Sequence, residues 1–227
     1  MFVRRALVSA GIVLLAALFA GAGEPQPPAK AAQPKPDAEI AVKPPFDKLY
    51  SSKYHRERVA ALVALLPRAE ELSEAAKAEA ARLRGLPAPE EGSAARGILD
   101  FAIGSLEAIA AEPEVIKKWK RGLPAAAQKS AEKVVALDCR DKPIAEVLRR
   151  ASAGWGVSIE MSPAAWRAAG ALDVSLEGSP TLGQFLDWLC AEQGLVCGAS
   201  GERVVLVLPA SLRLQENIEK AKDPKKP

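Results

Sequence analysis

Residues 134–208, VVALDCRDKPIAEVLRRASAGWGVSIEMSPAAWRAAGALDVSLEGSPTLGQFLDWLCAEQGLVCGASGERVVLVL, switch repeatedly between two side-chain periods. In some stretches apolar residues alternate, as a strand with one buried face requires. In others they recur three and four residues apart, as one side of a helix requires. Gly or Pro stands near almost every switch, so the order of elements reads β-α-β-β-α-β-β. A small α+β module follows from that order.

The first strand sets Val135, Leu137 and Cys139 on one face and Val134, Ala136 and Asp138 on the other. Asp141 is a candidate N-cap, with Pro143 near the helix start, where its missing N–H costs little. Ile144, Val147, Leu148 and Ala151 make the buried stripe of that helix, and Gly154 and Gly156 end it. Val157, Ile159 and Met161 face inward in the second strand. An Ala-rich helical turn carrying Trp166 leads to a third strand with Leu172, Val174 and Leu176 inward. Thr181 caps the second helix, whose core stripe is Leu182, Phe185, Leu186 and Leu189. Gly194 closes it, and Leu195–Cys197 and Arg203–Leu208 read as a hairpin around Ser200 and Gly201.

Before this module, residues 46–132 carry helix periodicity. Val59, Leu62, Val63 and Leu66 precede Pro67, a second helix covers Arg68–Arg84 before Gly85, and a third covers Ser93–Ala111. Pro113 and Pro124 are expected in the first turns of two further short helices. The fold class is therefore α+β, with an all-α helical subdomain ahead of a module spanning 133–209. Residues 210–227 end in Lys and Pro and read as a basic flexible tail.

Arg4 and Arg5 precede an uncharged stretch, Ala6–Ala22, that closes on Ala20-Gly21-Ala22. This is the form of a signal peptide over residues 1–22. An uncleaved segment would instead anchor the chain in the inner membrane, its one expected membrane contact. Residues 23–45, rich in Pro, Ala and Lys, read as an extended linker. Losing Arg4 and Arg5 with the leader takes the formal charge from +3 to +1, which provides no electrostatic basis for nucleic acid binding.

The segment LDCRDKPIAEVLRRASAGWGVSIEM, followed by ALDVSLEGSPTLGQFLDWLCAEQGLVC, resembles the short N-terminal domain of secretins and TonB-dependent receptors. The resemblance rests on Leu-Asp before a Pro-led helix, a Gly-started strand, and a Gly-Leu start to a later strand. It covers about 75 residues, roughly a third of the chain. It implies two helices packed between a two-stranded and a three-stranded sheet, in a periplasmic domain that docks proteins and performs no chemistry. Neither a secretin gate nor an outer-membrane barrel accompanies it, and the helical region is outside the family pattern.

Residues suited to catalysis are sparse. His55 is the only histidine and reads as an exposed helix-start residue; no zinc spacing, nucleophile elbow or phosphate-binding loop is present. No cofactor, metal or catalytic residue is expected. The expected role is a non-enzymatic periplasmic interaction module, an accessory of an envelope or secretion assembly whose partner is a protein of that assembly. The alternative is a small-ligand or glycan-binding protein using exposed Trp residues. The candidate surface is the strand edge at Arg203, Val205 and Val207, because no inward charge or internal Pro protects it, with Trp155 and Trp188 as platforms. Cys190 and Cys197 flank the Gly194 turn and are the candidate disulfide; the other reading buries all three cysteines as small apolar residues.

Overall fold

The computed structural model describes residues 44–170 and 172–222. The expected signal peptide, and the expected linker as far as residue 43, lie outside the described residues. Among the described residues no helix is long and apolar enough to cross a membrane. The chain is α+β, as expected: a helical subdomain precedes a mixed region of helices and short sheets.

The helical part begins with α1 (Lys48–Ser51) and α2 (His55–Leu65). A 3-10 turn at Leu66–Arg68 passes Pro67, and α3 (Ala69–Arg84) follows. Arg58, Leu62 and Leu66 share the buried line of this first segment at a spacing of four, while Val59 and Val63 are only half-buried. Next comes α4 (Ala94–Ile116), whose N-cap Ser93 accepts from the Arg96 N–H at 3.1 Å. The break expected at Pro113 does not occur. Pro113 sits inside the last turn of α4, and burial of Pro113 and Ile116 offsets the one helix bond that proline removes.

A strand that the periodicity did not reveal comes next: β1 (Trp119–Arg121), three residues long. Pro124 is the N-cap of α5 (Ala125–Lys129). The module then runs β2 (Leu137–Pro143), α6 (Ile144–Trp155), β3 (Ile159–Met161), α7 (Pro163–Ala169), β4 (Asp173–Gly178), α8 (Leu182–Gln193), β5 (Val196–Ser200) and β6 (Arg203–Val207). Last is α9 (Pro209–Lys222).

One sheet has the order β1-β5-β6-β3, with β3 parallel to β6 and the other neighbours antiparallel; β2 and β4 form a separate antiparallel pair. The predicted stripes of α6 and α8 are buried, and Thr181 and Gln184 complete a capping box on α8. Asp141, expected to cap α6, instead lies in an irregularity of β2 with a φ of 47°. There its N–H donates to Ser175 Oγ at 2.8 Å, and that hydroxyl donates to Asp141 Oδ1 at 2.7 Å. The carboxylate is therefore committed to pairing β2 with β4.

Trp119 explains why β1 joins this sheet. Its indole N–H reaches across β5 to donate to the Val205 carbonyl of β6 at 3.1 Å. The ring lies over Gly198, where a Cβ would overlap both the ring and the Lys120 carbonyl. Only the absence of a side chain leaves room for that approach.

The expected flexible tail is a packed helix as far as Lys222, with Ser211, Leu214 and Ile218 buried; residues 223–227 lie outside the described residues. Those three residues, spaced at 3 and 4, give α9 a buried line that packs on α4 and the 3-10 turn.

Glu112, fully buried on α4, joins the helical part to the module. Its Oε1 accepts from Ser162 Oγ at 2.9 Å and Ser211 Oγ at 2.6 Å, and its Oε2 accepts from the Ala164 N–H at 3.1 Å. Ser162 is the N-cap of α7, and Ser211 lies in the first turn of α9. One carboxylate therefore meets the starts of two helices, where negative charge is favoured. Burial still pushes its pKa up, against the opposing effect of the three donors.

Two outcomes are expected. Gly198→Ala should lower stability by about 1–3 kcal/mol, since overpacking displaces Trp119 from β5; an unchanged denaturation midpoint would contradict this. Glu112→Ala should lower stability by about 2–4 kcal/mol, because buried donors lose their acceptor. The raised carboxyl pKa favours the protonated folded state, so this group's contribution is full below the unfolded carboxyl pKa. It declines as pH rises through the folded value. Urea titrations of Glu112→Gln across that window should lack the decline seen in the parent chain.

Candidate docking surface

The strand edge predicted at Arg203, Val205 and Val207 does not exist. β6 is an interior strand, paired with β5 on one side and β3 on the other. Val204 to Val207 are all buried, which is how a strand covered on both faces reads. Arg203 alone is exposed, and its guanidinium pairs with Glu160 at 2.9 Å.

The two predicted platforms also move inward. Trp155 is 2 % exposed, its indole N–H donating to the Lys133 carbonyl at 2.7 Å. Its ring lies 5.2 Å from that of Phe185, and the half-buried Trp188 ring lies 6.2 Å from Phe185 on the same helix. These three rings form a cluster between α6 and α8, with neither tryptophan presented as a flat exposed face.

Trp166 takes that place. It is 43 % exposed on α7, held from behind by Gly170, where a Cβ would crowd the ring. The next residue, Arg167, turns toward α4. Its guanidinium lies 5.6 Å from the Phe101 ring centre, donates to the Asp100 carbonyl at 3.4 Å, and occupies the space a side chain at Gly104 would take.

Two residues of α2 meet the same ring. His55 packs edge-on at 5.1 Å between centroids, and the Arg58 guanidinium lies 5.3 Å away. Arg58 is only 8 % exposed; its Nη1 donates to the Ser52 carbonyl at 2.9 Å, while its Nε has no hydrogen-bond partner. Beside His55, Tyr54 is 56 % exposed.

Three elements thus place two arginines and a histidine around one phenylalanine. Neither Arg58 nor Arg167 has an ion pair among the described residues, unlike Arg68, Arg82, Arg84, Arg96, Arg140, Arg150 and Arg203. The local excess of positive charge is felt by His55. Burial first, then Arg58 and Arg167, hold its imidazole below its ordinary value. The corner can accept an anionic group, and aromatic rings flank it.

His55 begins a helix and is exposed, as its position in the sequence indicates. Arg58 and Arg167 were missed. Arg58 could have been found from its place four residues before Leu62, on the buried line. Arg167 carries no local signal, since its contacts on α4 lie more than sixty residues away.

Cys139 is buried in β2, in keeping with a core role. Cys190 and Cys197 are free thiols, both half-buried. Two surface depressions are open: one of about 530 Å³ lies beside Arg96 and Asp100, and one of about 320 Å³ beside Arg84 and Glu107. Among the described residues no group of three His, Cys, Asp or Glu is placed to hold a metal ion. Comparison with protein-family models, curated proteins and solved structures finds no match to this chain.

Neutralising either arginine should relieve the histidine. In Arg167→Gln the His55 imidazole pKa should rise toward its ordinary value, read from ring-proton shifts in an NMR pH titration. The parent must titrate at lower pH than the variant; the reverse order would refute the geometry.

Proposed function

We propose that this chain is a non-enzymatic periplasmic docking protein, an accessory of an envelope or secretion assembly. The observation that carries the proposal is the corner of α2, α4 and α7. Trp166 and Tyr54 are exposed there, next in sequence to Arg167 and His55, which converge on Phe101 with Arg58. Trp, Tyr and Arg are the side chains that contribute most to protein interfaces, through large area and oriented donors. Two arginines without carboxylate partners among the described residues favour a partner segment that combines an acidic side chain with apolar neighbours.

The arrangement of sheets lends support to the resemblance from which the location is inferred. A two-stranded pair, β2 with β4, accompanies three module strands, β5, β6 and β3, in the larger sheet. Export rests on the signal-like residues 1–22. The openness of the two depressions beside α4 favours docking over a small-ligand site.

Photo-cross-linking in the native envelope tests this reading. A benzoylphenylalanine at Tyr54 should trap a discrete envelope protein, and Trp166→Ala or Arg167→Glu should reduce that adduct at least tenfold. The same probe at Glu202, on the turn between β5 and β6, should not give it. Equal trapping from Glu202, or an adduct unaffected by both substitutions, would remove the corner as the docking surface.

A further inference from the structure

The chain's single histidine stands at the docking corner among fixed charges of one sign. His55 and Arg58 from α2 and Arg167 from α7 approach the same Phe101 ring, at 5.1, 5.3 and 5.6 Å from its centre. Arg58 arrives almost wholly buried, its Nε without an acceptor among the described residues. The bond from Arg167 to the Asp100 carbonyl is long, at 3.4 Å. Guanidinium groups held beside an aromatic ring without a carboxylate carry a desolvation cost that an arriving anion offsets.

The acids nearby are already engaged. On α2 the Glu57 carboxylate accepts from the Ser52 hydroxyl, and Arg56 is exposed. Against α2 pack α1, the 3-10 turn, α4 and α7. From α4 the Asp100 carboxylate pairs with Arg96 at 3.1 Å, and in the 3-10 turn Arg68 pairs with Glu71 at 2.8 Å. Asp47, Lys48 and Tyr50 lie at α1, and Lys53 sits over the Tyr54 ring at 5.0 Å. The charges that act on the imidazole are those of Arg58 and Arg167.

We propose that docking at this corner takes up a proton on His55, so that an acidic partner segment is held more tightly as pH falls. The inference rests on the docking reading of the same corner and adds its regulation. In the free chain, burial and the two guanidinium groups disfavour the imidazolium. A partner carboxylate entering beside the arginines offsets their field and offers an acceptor to an imidazole N–H, so the imidazolium becomes favourable. The coupling is reciprocal: a ligand that raises the imidazole pKa must itself bind more tightly to the protonated chain. The added affinity is therefore full below the free-chain pKa of His55 and is lost as pH rises through the bound-state pKa. Each unit by which the partner raises that pKa corresponds to about tenfold in affinity.

Because there is one histidine, its imidazole C2–H resonance is identified without ambiguity in the full chain. The probe is acetyl-Leu-Glu-Leu-amide, one carboxylate between apolar side chains, with acetyl-Leu-Gln-Leu-amide as the uncharged control. The probe's carboxylate stays ionised across about pH 5 to 8, where histidine titrates. NMR titrations follow the His55 C2–H and the Trp166 indole N–H. The expected result is a His55 pKa raised by the Glu peptide and unmoved by the Gln peptide. The Glu peptide's Kd should tighten at least about threefold from pH 8 to pH 5. His55→Gln should bind that peptide as the parent does at pH 8, with no tightening on acidification. A Glu peptide that shifts the Trp166 signal with the same Kd at every pH would overturn the proton coupling and leave the docking surface standing. A peptide that perturbs neither signal at any pH would overturn both.

Discussion

A single buried carboxylate organises this protein. Glu112 projects from the last turns of α4 into a site where water cannot reach it, and every hydrogen bond it accepts comes from the start of another helix. One donor, the Ala164 N–H, is a backbone group that the start of α7 leaves over, and the other two are serine hydroxyls at the starts of α7 and α9, so charge and geometry serve both sides. Without those donors the carboxylate would be a severe burial cost; without the carboxylate the two helix starts would keep unsatisfied groups in the core. Neither half of the arrangement is stable alone. The helical part and the module consequently share one interior, where a loop would have left them independent.

Their shared sheet has the same logic on the other side. Trp119, three residues beyond α4, inserts its ring over Gly198 and bonds to β6. The indole spans β5 to reach its acceptor, which fixes β1 against the sheet by more than three ladder residues could. Glu112 and Trp119 lie on either side of the end of α4. Between them that helix terminus is attached to α7, α9 and the sheet.

How far the sequence discloses this depends on the range of each interaction. Elements set by period and caps were legible: the stripe of α8, its cap at Thr181, and the Gly194 and Gly201 turns all act within a few residues. What escaped was set by distant partners. Pro113 reads as a helix start until Ile116 is seen packed beyond it. Nothing in the composition of residues 210–227 discloses that Ser211 has an acceptor ninety-nine residues earlier. The edge expected at Arg203–Val207 was a misreading of a signal that was present, since four consecutive apolar residues indicate a strand covered on both faces. At the corner of α2, α4 and α7, His55 and the helical turn carrying Trp166 had a visible place, and Phe101, which gathers the other side chains, reads simply as core.

The position of α7 connects the interior carboxylate to the exposed surface. Seven residues are too few for a helix to persist by its own backbone bonds. Its start is fixed by Ser162 and by the bond from Ala164 to Glu112, and its other face is seated by Arg167 lying in the space over Gly104. Trp166 lies between these two attachments, so its exposed indole is carried on an anchored support that has little freedom left to lose. A tryptophan on a loose loop would pay that ordering cost at each encounter. The buried acid and the arginine over Gly104 are therefore the two attachments of one short helix, and the exposed aromatic is carried between them.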